Sequence, residues 1–162
     1  MAWVNLNTIY ATKSEVNSKV PNTRTINGKA LSSNVTLGAS DIKLSDDTTL
    51  QSAWDSISPT EIIVTKKNIS YGTLKAKKFG KLIVIYMCGV GVSSTINAWK
   101  GLQIGTISES YAPSENIYGA IATDSNVSAI KVTANGSIEV NSKSSTIYSG
   151  HNIEGQVAYL LD

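Results

Sequence analysis

The sequence predicts a mainly β protein: an antiparallel, jelly-roll-like β-sandwich head in its C-terminal part, on a short N-terminal stalk that includes one small helix. Three observations carry that expectation. Apolar runs of strand length recur at regular intervals after Pro59, whereas the elements before it are short and interrupted. Asn-Gly pairs, which favour the positive backbone angles of tight hairpin turns, stand between apolar runs at 27–28 and 135–136. Only 16% of the 162 residues are charged while 41% are hydrophobic, and Ser, Thr, Asn and Gly are abundant, a composition suited to strands joined by polar turns.

In residues 1–20, Ile9, Val16 and Val20 form a sparse apolar stripe on a short helix or extended segment, too little to bury a core. Residues 21–44 carry the first Asn-Gly turn, then Val35 and Leu37 at strand-like alternation, and form a β module of short strands. Residues 45–59 begin with Ser45-Asp46-Asp47, residue types that cap a helix and place negative charge at its start, and end at Pro59. Between them Leu50, Ala53 and Ile57 keep a coiled-coil spacing with Trp54 beside it. Helices shorter than about 12 residues are marginal in water, so this neck needs cover, and copies of the same chain are the economical source.

Residues 60–162 form the head. Strands are expected near 61–66, 68–75, 80–93, 98–108, 117–123, 127–134, 137–142 and 154–161. The run Leu82 to Cys88 is apolar at successive positions, so it reads as a central strand covered on both faces, with Cys88 a small buried hydrophobe. Ile130 and Val132 should face Ile138 and Val140 across Asn135-Gly136. Gly89-Val90-Gly91 marks a bulge or a close approach of strands.

The formal net charge is only +2, and the lysines are dispersed except for Lys75, Lys77, Lys78 and Lys81, which read as solvated edge protection. Nucleic-acid binding would require a broader basic footprint. No segment has the length to span a bilayer, and Met1-Ala2-Trp3-Val4 lacks a basic region followed by an apolar stretch, so the expectation is a chain made in a cytoplasm with no membrane insertion. The single histidine, His151, has no neighbouring Cys or His at metal-ligand spacing, and no Gly-x-Ser-x-Gly elbow is present. Glu109 and Glu115 flank Pro113 but share one polar loop and read as solvated rather than as a glycosidase pair. The expectation is therefore no enzyme, no catalytic residues, no metal and no cofactor.

The stretch Arg24-Thr25-Ile26-Asn27-Gly28-Lys29-Ala30-Leu31, continued by Val35-Thr36-Leu37 and Asp41-Ile42, resembles a structural unit of phage and prophage tail-fibre proteins. Tyr111-Ala112-Pro113, the strand Ile117 to Ala122, the Ile130 to Val140 hairpin and the ending Tyr159-Leu160-Leu161 resemble the head domains of receptor-binding and baseplate proteins of phages that infect Gram-positive bacteria. The order, stalk then head, is similar to that of lactococcal phage receptor-binding proteins. The resemblance implies a homotrimer at the tail tip or baseplate of a virion, docked through its N-terminus to another tail protein, with heads that bind a bacterial cell-wall or surface polysaccharide. The rival reading is a structural connector whose head binds another virion protein.

A saccharide site requires an aromatic face for the apolar side of a sugar ring, with a few polar groups to fix its hydroxyls. Trp99, Tyr111, Tyr118, Tyr148 and His151, with Asp124, Asn126 and Asn152, lie in or beside predicted connections of the head. Trp99, Asp124 and His151 are the preferred set, joined by Tyr118 and Tyr148, although Trp99, Tyr118 and Tyr148 suit core or interface roles equally well.

Overall fold

Short apolar runs around Asn27-Gly28 become a two-stranded hairpin, β1 (Thr25–Ile26) and β2 (Lys29–Ala30), with Thr25 opposite Ala30 and Gly28 at φ +81. The structure, a computed structural model, describes residues 14, 25–26, 28–30, 36–124 and 127–162, and the chain divides into two compact units, Met1–Asp55 and Ser56–Asp162. Ile9, Val16, Val20 and Val35 fall outside the described residues, and Leu37 lies in irregular chain before a 3-10 turn at Ala39–Asp41.

Lys29 and Asp41, both part of the tail-fibre-like stretch, meet at 2.6 Å, and the Asp41 carboxylate also accepts the Gly38 N–H at 2.9 Å. These hydrogen bonds, that from Lys29 foremost, hold the Asp41 carboxyl below its ordinary range. Lys29 Nζ donates as well to the Thr36 carbonyl at 3.1 Å. One ammonium thus ties the hairpin to the chain that follows, in a segment whose strands are too short to persist alone.

The helix α1 spans Leu50–Ile57, and its start corrects the expected cap. Thr49 is the capping residue: its Oγ1 accepts the Ser52 N–H at 3.1 Å, while Ser52 Oγ accepts the Thr49 N–H at 3.0 Å. Asp46 and Asp47 form the preceding turn instead, Asp47 at φ +63 and Asp46 accepting from both Thr48 N and Thr48 Oγ1. A left-handed residue cannot open a helix, and Asp is among the few types that tolerate it. Of the expected seam, Ala53 is half-buried while Leu50, Trp54 and Ile57 are exposed, Trp54 to 64%.

In the second unit, regular apolar spacing becomes nine strands: β3 (Thr60–Ile62), β4 (Thr65–Lys66), β5 (Ile69–Phe79), β6 (Leu82–Val92), β7 (Gly101–Thr106), β8 (Ile117–Thr123), β9 (Val127–Val132), β10 (Ser137–Asn141) and β11 (Asn152–Leu160). All pairings are antiparallel, and the order is β3-β5-β6-β11-β8-β9-β10-β7-β4. The layers of the sandwich are therefore parts of one curled sheet. The strand expected at 61–66 is split. Its first half pairs with β5 and its second with β7, so one short segment closes both edges. Beyond β4, Lys67 N–H donates to the Ile104 carbonyl and Asn68 Nδ2 to the Gln103 carbonyl, both at 2.9 Å, extending the seam.

Inside the curl, alternate residues of every long strand point to one core: Leu74 and Ala76, Ile83 and Ile85, Ile130 and Val132, Ile138 and Val140 are all buried. The β9–β10 hairpin takes the expected register, Ile138 opposite Val132 and Val140 opposite Ile130. Strand β6 departs from its expected burial on both faces. Ile83, Ile85 and Met87 are buried, but Leu82 and Cys88 on the other face are exposed and Val84 and Tyr86 half-buried. Period-two alternation gives the inner position to Met87, which puts Cys88 outside rather than in the core.

The connections segregate. Gly80-Lys81, residues 107–116 and the 133–136 turn lie at the end where the chain enters this unit, since Thr60 pairs with Lys78 and Ile117 with Val132. Residues 93–100, Asp124 and residues 142–151 lie at the opposite end, as the pairings of Asn152 with Gly91 and of Gly101 with Asn141 require. At the entry end the buried Tyr159 donates from its hydroxyl to the Tyr111 carbonyl at 2.6 Å, and burial pushes the phenol up to about 12.

Two outcomes are expected. Because the unfolded chain releases the Tyr159 proton near 10.0 while the native state holds it to about 12, stability should fall as pH rises between those values, and Tyr159→Phe should flatten that part of a pH series of urea melts. Asn68 sits at φ +53, so Asn68→Ala loses the seam hydrogen bond and strains the backbone, about 2 kcal/mol together, whereas Asn68→Gly loses about 1 kcal/mol. Chemical unfolding of the two variants should show that order.

Candidate functional site

Trp99, Asp124, Tyr148 and His151 come from three connections far apart in sequence, and the sheet brings all three to one end. The 93–100 connection pairs with the 142–151 connection through a bridge between Ile96 and Ile147, both hydrogen bonds present at 2.8 and 2.9 Å. Ser142 N–H donates to the Lys100 carbonyl at 2.9 Å, which ties the Trp99 turn to the same structure. Asp124, at the end of β8, accepts the Asn152 N–H through Oδ2 at 2.8 Å.

The turn that displays Tyr148 and His151 is held from several sides. His151 N–H returns to the Tyr148 carbonyl at 3.1 Å, Gly150 N–H donates to the Val92 carbonyl at 3.2 Å, and Ser149 N–H donates to Thr95 Oγ1 at 3.3 Å. The two rings lie 5.3 Å apart, tilted by 59°. Tyr148 is exposed and His151 half-buried, with His151 Nδ1 buried and without a hydrogen-bond partner among the described residues. An unpaired buried nitrogen is costly. Beside it, Ala122, Thr123, Asp124, Asn152 and Glu154 line a shallow cavity of about 190 Å³. Asp124 and Glu154 supply carboxylate acceptors to this cavity, and Asn152 supplies an amide.

Trp99 is the most unusual residue of this end. Its backbone is left-handed, φ +63, and its side chain is 75% exposed. A bulky residue in that region is a conformational outlier, and here no burial offsets the strain. Such outliers concentrate at functional sites.

The structure leaves two of the candidate aromatics out of this cluster. Tyr118 lies on the outer face of β8 opposite Lys131, toward the entry end, with Lys143 Nζ 5.5 Å from its ring centroid. It is exposed, so a core role does not apply to it. Tyr111 is half-buried against the core at the entry end. Asn126 falls outside the described residues. Glu109 and Glu115, both exposed, lie in the entry-end connection, away from Asp124. Sequence reasoning missed Glu154 and Tyr71. Glu154 is an outward residue of a strand that the β period alone could not connect to Asp124. Tyr71, whose hydroxyl donates to the Gly150 carbonyl, stands opposite the glycines already legible as a close approach.

Comparison with known proteins supports the architecture. Among solved structures the chain is similar to the head domain of phage bIL170, described as belonging with the receptor-binding domains of lactococcal phages, with a TM-score of 0.51 and 18% identity. The match covers 65% of this chain and 99% of that domain, a share close to the size of the second unit. No family model matches, and no curated protein does. The likeness shows the fold: the curled antiparallel sheet is that of a phage receptor-binding head.

The strain at Trp99 generates a prediction. Trp99→Asn, which suits a left-handed backbone, should leave the fold intact and raise stability by up to about 1 kcal/mol, read as a higher urea midpoint. A large loss of stability would show that the indole is a packing residue.

Proposed function

We propose that this chain is the receptor-binding protein of a phage or phage-tail-like particle, and that its second unit attaches the tail to a saccharide of the bacterial cell wall or surface. The observation that carries this reading is the convergence of a strained, exposed Trp99 with Tyr148, His151 and the Asp124–Asn152–Glu154 cavity at one end of a sheet that has a receptor-binding head's fold. The chemistry fits the ligand class. Exposed indole and phenol rings match the apolar face of a pyranose, while carboxylates and an amide accept and donate to its hydroxyls. Tyr118 is an outlying contact, usable only by a ligand that runs down the outer face.

The proposed assembly is a homotrimer: residues 1–20 attach it to another tail or baseplate protein, 21–44 form the stalk module, 45–59 the neck, and 60–162 the head at the tail tip. Two features support self-association. Leu50, Trp54 and Ile57 are exposed on one short helix that is marginal without cover. On the head, register aligns Phe79, Leu82 and Leu160 in one row of the outer face, all exposed, next to a row containing Val84 and Ala158. Several identical heads on one particle gain effective concentration, so a weak single site suffices for firm adsorption. The function requires no catalysis and no cofactor.

The reading is tested by binding of the intact chain to isolated Gram-positive cell walls and to a glycan array, with sedimentation velocity for the oligomer. Saturable wall binding, weakened at least tenfold by Trp99→Asn or Asp124→Ala at unchanged oligomeric state, is the expected result. Failure to bind any wall or glycan as a folded trimer favours a tail connector instead. Sedimentation as a stable single subunit removes the assembly.

A further inference from the structure

Two irregularities flank one residue of β5. The register against β6 shifts between Ile69 and Tyr71 and again between Tyr71 and Thr73, which leaves Tyr71 paired with Gly91 between two breaks in the ladder. Glycines make the distortion possible. Gly72 is at φ +89, and a Cβ there would lie 2.1 Å from the Gly89 carbonyl oxygen; a Cβ at Gly91 would lie 2.2 Å from Cε1 of the Tyr71 ring. The ring therefore packs directly on the Gly91 backbone, and Ser70 Oγ donates to the Gly91 carbonyl at 3.0 Å beside it.

Bulges sacrifice regular pairing, and where they occur they commonly re-aim a side chain. Here the re-aimed group is the Tyr71 hydroxyl, which reaches across Gly91 and donates to the carbonyl of Gly150. Gly150 lies between Tyr148 and His151, at φ +84, and its N–H is already bonded to Val92. The peptide units on both sides of Gly150 are thus tied to strands β5 and β6, between the two residues whose rings face each other.

We propose that Tyr71 is a positioning residue of the loop-end site: its hydroxyl clasps Gly150 and so presets the Tyr148–His151 ring pair for the saccharide. This rests on the binding reading above and adds to it a residue that has no need to touch the ligand. A turn ordered in advance avoids the entropy of ordering it on binding. The bulged Tyr71-Gly72 segment and the bare Gly91 backbone exist to bring the phenol to that carbonyl.

Tyr71→Phe removes the hydroxyl and keeps the ring. The expected result is faster amide hydrogen exchange at residues 149–152, displaced aromatic NMR resonances of Tyr148 and His151, and wall binding about fivefold weaker, mainly through faster release, with a thermal midpoint within about 2 °C of the parent. Gly91→Ala, which drives the ring off the strand, should reproduce these changes where it folds, and Tyr71→Phe decides alone where it does not. Unchanged exchange and resonances in Tyr71→Phe overturn the clasp whatever happens to binding. Loosened exchange with undiminished wall binding overturns its service to the site. If the parent chain binds no wall, the receptor reading fails, while the exchange data still judge the clasp.

Discussion

Everything in the second unit depends on one short piece of chain that pairs on both sides of a seam. Residues 60–62 satisfy β5 and residues 65–66 satisfy β7, so a sheet of nine strands is left without a long open edge. Open edges recruit other strands, and the seam leaves only short ones exposed. At the seam the two edges approach closely enough that a Cβ on Gly105 would stand 3.1 Å from both a Leu74 methyl and the Thr65 carbonyl. Closure gives the core its second wall. Leu74 and Ile104 are fully shielded, and Val64, in the segment between β3 and β4, packs against the same core.

Closure also sorts the connections by end. At the entry end the β5–β6 and β9–β10 links are tight turns, and the longer 107–116 link is fastened by Tyr159 to the Tyr111 carbonyl. At the opposite end both side chains of the Ile96–Ile147 bridge are buried in the core, and by that bridge the 93–100 and 142–151 links brace each other. Their bracing makes these two a surface that is shaped before any ligand arrives.

The strands were legible because each obeys a local rule: period two in β5 and β10, an Asn-Gly turn between β9 and β10, apolar runs bounded by polar turns. The role of Gly89 and Gly91 in a close approach was legible for the same reason, since glycine in a strand has few other uses. What the sequence hid is non-local. The split of 61–66 between two partners follows from curl, not from its own residues. The exposure of Cys88 depends on which face Met87 takes, and an unbroken apolar run leaves that choice open. The true helix cap depends on Asp47 adopting a left-handed angle within a turn that Lys43 and Thr49 close. Of the site, Trp99, Asp124 and His151 were accessible as connection residues with suitable chemistry, whereas Tyr71 and Glu154 lie within strands and gain meaning only from what the sheet places across from them.

Among the described residues three non-glycine residues hold left-handed backbones, and they differ in kind. Asp47 and Asn68 are of types that visit this region at little cost, and each has evident structural use, one in a turn and one at the seam. Trp99 is of neither kind. Its indole meets mostly solvent, so the fold draws little from it, yet the backbone around it is tied down by the Lys100–Ser142 hydrogen bond. Strain of this sort persists only where the surrounding structure over-determines it. Trp99 is thus held against its own preference, outward, at the same end of the sheet as the Tyr148–His151 ring pair and the cavity lined by Asp124 and Glu154, and nothing among the described residues of the folded chain accounts for that strain.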